Sequence, residues 1–184
     1  MITKGYQKQV TVSGIAQATV FPILLSISFS HLLNDSIQSL IPSIYPIVKS
    51  SFNLSFAQIG LITLTFQLAA SLLQPFVGYY TDRNPKPFSL AVGMSFTLAG
   101  LIFLSFANSF EATLISVGLI GIGSSIFHPE ASKVAYMASG GKRGLAQSIF
   151  QVGGNAGTAI GPLLAAIILY RMEDHTFYIL VFWQ

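Results

Sequence analysis

A histidine, an asparagine and an aspartate stand together in the stretch HLLNDSIQ, His31 to Gln38, inside an otherwise apolar run from Ala18 to Val48. On a helix of 3.6 residues per turn, His31, Asn34, Asp35 and Gln38 fall on one stripe at i, i+3, i+4 and i+7. Leu32, Leu33, Ile37, Leu40 and Ile41 cover the remaining surface. A carboxylate beside an imidazole is proton-handling chemistry. At the centre of a membrane helix, an ionisable group costs about 2.5 to 3.5 kcal/mol on insertion scales, so it should face protein or water and not lipid. Asn34 and Gln38 as interhelical glue, with His31 shielding Asp35, would account for the stripe structurally. The functional expectation is a proton or substrate site on a cavity wall.

Two further segments carry one-sided polarity. Gln67, Ser71, Gln74 and Gly78 share a face of the second apolar segment, and Gln147, Gln151, Asn155 and Thr158 share a face of the fifth. Glue explains one stripe, but three would bury many amides that need partners, so the pattern predicts a polar lumen served by water and a transported solute. The fourth segment contains GIGSSIFHPEASK. Here Ser124, Ser125 and His128 lie on one side, and Pro129 removes a backbone donor, freeing carbonyls near Ser125. Glu130 and Lys133 follow at i, i+3. They read equally as an ion pair near the cytoplasmic interface and as a second protonatable site at Glu130. Gly153, Gly157 and Gly161, four residues apart and followed by Pro162, predict a close helix interface that bends or slides.

The elements that must position these groups follow from composition. With 52% hydrophobic and 8% charged residues and a mean hydropathy of +0.67, the chain lacks the polar residues to cover a soluble surface. Apolar segments of about 20 residues, enough to cross a bilayer, run over roughly 18–48, 56–80, 88–108, 112–138 and 145–170. A last run begins near His175, and its FYILVFWQ rises only about 12 Å as a helix. A truncated sixth helix is therefore expected, with the chain the N-terminal part of something longer. Lys4 and Lys8, then Arg83 and Lys86, then Lys142 and Arg143 all fall on one side. The opposite connections hold Lys49 and the Arg171, Glu173, Asp174 group. Residues 1–17 are accordingly expected as a cytoplasmic N-terminal segment of a multi-pass protein in the cell's inner, or plasma, membrane. A signal peptide fits less well, because the first apolar run is too long and contains His31 and Asp35.

Other classes are disfavoured. Absence of cysteine removes disulfide frameworks and thiolate metal sites. The net charge of +3 comes from scattered basic residues and forms no basic face, so nucleic acid is not an expected partner. A membrane hydrolase using His31, His128, Asp35 and Glu130 would need an HExxH motif, paired-histidine metal spacing or a serine elbow, and the chain has none. No enzyme activity, catalytic residue, metal or cofactor is expected. A non-transporting membrane scaffold would keep the small-residue faces without needing the polar stripes.

The connection between the second and third segments, GYYTDRNPKP, carries Gly78, Asp82, Arg83 and Lys86 in the order of the loop signature of the major facilitator superfamily, which it resembles. Pro85 and Pro87 stand where that family often has glycine and a second basic residue. Gly144, Gly153, Gly157, Gly161 and Pro162 resemble its antiporter motif, with Ala165 and Ala166 replacing a final glycine pair. Gly118 occupies the place of a fourth-span arginine found in many members. Together with SHLLNDSIQSLIPSIYP, SIFHPEASKVAYMASGG and GLAQSIFQVGGNAGTAIGPLLAA, the resemblance narrows to the fosmidomycin resistance group, from about Ser28 to Ala166. It implies an all-α integral membrane protein: the first six-helix bundle of a twelve-helix carrier, exporting a drug against inward proton flow. Its implied partners are a small-molecule substrate, protons, the lipid bilayer and the missing C-terminal half. Asp82 and Arg83 would latch the cytoplasmic side against that half. Uptake of a sugar or organic anion stays open as the alternative. An anionic phosphonate would need a cation, for which Lys133 and protonated histidines are the candidates within these segments.

Overall fold

The computed structural model describes residues 18–182, with side-chain surroundings for 18–167. The expected N-terminal segment 1–17 lies outside the described residues. Helices α1 (Phe21–Ser43), α2 (Tyr45–Ser51), α3 (Phe56–Gln67), α4 (Gln74–Arg83), α5 (Ser89–Ser105), α6 (Phe110–Met137) and α7 (Arg143–Phe182) follow in order. The described residues contain no strand.

Local chemistry sets the helix ends. The expected first segment, 18–48, is two helices broken at Ile44, because Pro42 and Pro46 each lack a backbone donor across the junction. Ser55 and Gln58 form a reciprocal cap on α3: the serine hydroxyl accepts from the Gln58 N–H, and the Gln58 amide oxygen accepts from the Ser55 N–H at 2.9 Å. Between α3 and α4, Leu68–Leu72 widens into a π turn just ahead of Pro75, which would otherwise clash with the preceding turn. The continuous run Phe56–Arg83 and helix α6 are each 28 residues long with mean hydropathy 1.6, long and apolar enough to cross a bilayer. Helix α5 is a shorter apolar helix. Large side chains such as Phe29, Leu98, Ile102 and Phe103 point outward, which suits a lipid surface.

One expectation is corrected here. Helix α7 continues without interruption through 170–175, where a break and a separate sixth element were expected. No glycine or proline follows Pro162 in that helix, and Leu169, Arg171, Met172 and Glu173 all favour helix.

Packing rests on bare backbone. A Cβ on Gly153, Gly157 or Gly161 would strike the carbonyl oxygens of Ser28, Leu32 and Ser36 respectively. The partners advance in step, four residues at a time on both helices, so α1 and α7 run parallel with their backbones in contact. Ser28 donates to the Ile149 carbonyl at 2.7 Å across the same seam. Helices α5 and α6 are matched likewise: a Cβ on Gly123 would come within 2.6 Å of the Gly93 carbonyl oxygen, and one on Gly100 within 2.8 Å of that of Ser116. Two apolar cores result. Leu24, Ile27, Phe127 and Phe150 anchor one, and Ile41, Ile62, Phe66 and Ile120 anchor the other.

The Val20 N–H donates to the Ala138 carbonyl at 2.9 Å, which brings the start of α1 to the α6–α7 turn. Lys133 near the end of α6 meets Asp82 at the end of α4. Arg83, Lys86, Lys142 and Arg143 therefore share one end of the bundle, and Lys49 lies beyond the other end of α1.

The seam yields a stability prediction for the protein in detergent. Gly157→Ala should destabilise by about 1 to 3 kcal/mol, the usual range for overpacking. Gly144→Ala, with nothing within 4 Å of the added methyl, should be neutral or stabilise by up to about 1 kcal/mol. Thermal unfolding of the two variants beside the parent protein measures the difference, and equal melting points would contradict the seam.

Candidate functional site: a carboxylate between two histidines

Asp35 is the meeting point of three helices. Its Oδ2 lies 3.2 Å from Nε2 of His31, one turn earlier on α1, and its Oδ1 lies 3.4 Å from Nε2 of His128 on α6. Two amides on α1 complete the set: Asn34 Nδ2 donates to Oδ1 at 3.1 Å and Gln38 Nε2 at 3.4 Å. Each histidine is also held from behind. Nδ1 of His31 is 2.9 Å from the Phe150 carbonyl of α7, and Nδ1 of His128 is 3.0 Å from the Ser124 carbonyl of α6. The His31 ring stacks on Phe150 at 4.0 Å between centroids, and the two histidine rings meet edge to face at 5.2 Å.

The fold dictates this arrangement. Gly154 presents no side chain to the pair. A Cβ there would sit 2.6 Å from His31 Nε2 and 2.9 Å from Asp35 Oδ2. Close approach of α7 therefore seals one side of the His31–Asp35 contact, leaving His31 2% exposed. The other side is open, with Asp35 18% and His128 26% exposed. The carboxylate thus has one wall of protein and one accessible wall. Chemically, a carboxylate among hydrogen-bond donors and two imidazoles can hold, pass and release protons.

A second polar cluster occupies the end of the bundle that carries Arg83. Lys133 Nζ reaches Asp82 Oδ1 at 2.8 Å, Glu130 Oε1 at 2.9 Å and the Thr81 hydroxyl at 3.2 Å. Ser89 on α5 donates to the other oxygen of Glu130. This cluster lines a cavity of about 440 Å³, together with Lys86 and Pro87. His128 and Glu130 are two residues apart and so point to opposite faces of α6. Glu130 therefore belongs with Lys133 and Asp82, not with the histidines, and the Glu130–Lys133 contact has the geometry of an ion pair.

Of the residues expected to act together, the structure unites His31, Asn34, Asp35, Gln38 and His128. Gln67, Gln151 and Asn155 are exposed and Gln74 is half-buried. Among the described residues none of these four shares a side-chain hydrogen bond with the triad. Gly78 packs α4 against Pro129 of α6, with 3.8 Å available to an added Cβ. Arg83 is exposed and lies over the Tyr79 ring at 3.9 Å, and Lys86 lies 5.9 Å from the Tyr80 ring centroid. Gly153, Gly157 and Gly161 form the α1 seam described above, with Pro162 inside α7. Sequence reasoning missed Gly154, Ser89 and Thr81. The Gly153–Gly154 pair was the available signal: a seam with a four-residue repeat explains Gly153 and leaves its neighbour unexplained.

Comparison with known proteins agrees with this architecture. The sequence profile of the Major Facilitator Superfamily matches residues 11–183. Over 151 residues the chain is 66% identical to the fosmidomycin resistance protein of Escherichia coli (strain K12) and 53% identical to the uncharacterized MFS-type transporter YfnC of Bacillus subtilis (strain 168). Each alignment covers 82% of this chain and 37% of the relative. A more distant match, 29% identical over 124 residues, is the multidrug resistance protein Stp of Mycobacterium tuberculosis, covering 63% of the chain and 23% of that protein. The chain spans little more than a third of the length of the first two relatives. An all-helical bundle with apolar outer surfaces, a glycine seam and this profile match together establish that the chain belongs to the Major Facilitator Superfamily of membrane transport proteins.

Proposed function

We propose that the chain belongs to the first half of a twelve-helix secondary transporter that exports a fosmidomycin-type antibiotic in exchange for protons. The N-terminus is cytoplasmic in the inner membrane. The observation that carries this reading is Asp35, held between His31 and His128 with one wall accessible. A buried ionisable group inside a membrane helix needs a functional reason, and proton transfer supplies one. The name of the Escherichia coli relative supports the solute class. The common end shared by Arg83, Lys86, Lys142 and Arg143 supports the orientation, since basic residues concentrate on the cytoplasmic side.

Alternating access works by rocking two bundles around a site near the membrane midplane. In this mechanism Gln38, Gln67, Gln74, Gln151 and Asn155 line the central passage with the triad, and the second half supplies the opposite wall. Opening toward either side changes the water around Asp35 and His128 and thereby the free energy of the proton that their cluster holds. Coupling follows when the proton-loaded and solute-loaded states favour opposite openings, because a ligand shifts a conformational equilibrium only by its differential affinity for the two states. The loop motif Gly78, Asp82, Arg83 and Lys86 closes the cytoplasmic side against the second half. Asp82 and Arg83 are both exposed at that end, Asp82 with one oxygen on Lys133 and Arg83 over the Tyr79 ring.

Two outcomes are expected. In proteoliposomes containing the full-length transporter, Asp35→Asn should reduce pH-gradient-driven fosmidomycin export to background, with an unchanged size-exclusion profile. Full transport by that variant would remove Asp35 from coupling. At the cytoplasmic cluster, Lys133→Met leaves the buried Glu130 without its cation and should destabilise by about 1 to 3 kcal/mol, less than for a fully enclosed pair because Lys133 is partly exposed. The double variant Glu130→Gln, Lys133→Met should recover most of that loss, as a double-mutant thermal unfolding cycle would measure.

A further inference from the structure

The hydrogen-bond inventory around Asp35 separates the proton that is fixed from the proton that can exchange. Every described group within hydrogen-bonding distance of the carboxylate can act as a donor: two amide nitrogens and two imidazole Nε2 atoms. Asn34 is fully buried, and while it donates to Asp35 its own Oδ1 meets no hydrogen-bond partner among the described residues. That orphaned acceptor would be better satisfied by turning toward a carboxyl proton, so the geometry is that of an ionised Asp35.

The two histidines then differ. Behind His31, the partner of Nδ1 is the Phe150 carbonyl, which can only accept. Nδ1 of His31 therefore carries hydrogen, and its Nε2 needs a second hydrogen to meet Asp35. His31 with Asp35 forms a neutral pair around one retained proton. Behind His128, the backbone carbonyl of Ser124 lies 3.0 Å from Nδ1 and the hydroxyl of the same serine lies 3.3 Å away. The carbonyl accepts when Nδ1 carries hydrogen, and the hydroxyl donates when it does not. His128 keeps Nε2–H on Asp35 in both states, so its ring can gain or lose a proton without moving.

We propose that the exchangeable proton of this site resides on Nδ1 of His128, that Ser124 is its positioning residue, and that Asp35 remains an ionised acceptor throughout. The cluster then alternates between net charges of +1 and zero. Loss of the proton from Nδ1 leaves the imidazole neutral, and the proton passes to water on the accessible side. Among the described residues, no further titratable group bonds to these three. Helix α1 presents His31 and Asp35, and α7 presents Phe150 and Gly154, which do not titrate. The π turn and α3 meet α6 at Gly121 through Phe66, Ala69 and Ala70, and Glu130 and Lys133 point to the opposite face beside Ser89 of α5. The functional use of this proton rests on the transporter reading above, whereas its location does not.

The test is pH-dependent infrared difference spectroscopy on the full-length transporter in lipid, with transport measured in parallel. Wild type should show a histidine titration component that is lost in His128→Gln, and no protonated-carboxyl band removed by Asp35→Asn. Ser124→Ala deletes the donor for the neutral ring and keeps the acceptor for the charged one. Its histidine titration should move toward alkaline pH by roughly half a unit to one unit, the worth of one hydrogen bond. Ser124→Thr, which restores a hydroxyl, should return it toward wild type. An Asp35-dependent carboxyl band, or a Ser124→Ala titration superimposed on wild type, would overturn the assignment. Intact titration with no proton-driven transport would instead leave the assignment standing and remove the transporter coupling.

Discussion

Direct backbone contact between α1 and α7 is the constraint on which the candidate site depends. Glycine at 153, 157 and 161 lets the α7 backbone lie against the carbonyls of Ser28, Leu32 and Ser36. Only at that separation can the Phe150 carbonyl reach His31 Nδ1, and only a glycine at 154 leaves room for the His31–Asp35 pair. In a membrane, helix association draws little on the hydrophobic effect, so close packing and interhelical hydrogen bonds carry it. The same seam that holds the two helices together also excludes water from one side of the carboxylate. Packing of the seam and the shape of the candidate site are thus set by the same glycines.

Helix α6 distributes charge between two places. On one face His128 completes the triad with α1, and on the other Glu130 and Lys133 join α4 and α5. Pro129 stands between them and packs toward Gly78 of α4. In the mid-bundle cluster the Asp35 carboxylate is ringed by donors, because a carboxylate without partners in a low-dielectric surrounding would be expelled or neutralised. The cluster beside Asp82 is wetter and can hold three charged groups, since partial exposure reduces the penalty for keeping them. Repacking that moves α6 would alter both clusters together, which gives a physical route between the Asp35 cluster and the loop motif at the basic end.

Much of this was legible from residue order alone. Composition and segment length placed the chain in lipid, and periodicity placed His31, Asn34, Asp35 and Gln38 on one face. The four-residue glycine repeat announced a close interface, and the loop and glycine motifs pointed to the superfamily that the profile match establishes. Less legible were the breaks. Two prolines divide the first segment at Ile44, and a π turn absorbs Pro75, because backbone donors lost to proline can be handled by a kink, a break or a widened turn. Which of these occurs depends on the neighbouring helices.

Sequence by itself determined the polar stripe on α1, the helical class, and the presence of a close small-residue interface, since these depend on local period and side-chain size. Tertiary structure decided the partners. It matched the α1 stripe with His128 of α6 and not with Glu130, made Ser124 and Phe150 the backing for the two imidazoles, and assigned Gly154 to the carboxylate. Residues 119 positions apart along the chain, His31 and Phe150, meet at 2.9 Å. Local periodicity carries no information on which face of a distant helix will arrive there, because that is fixed by how backbones of different segments pack.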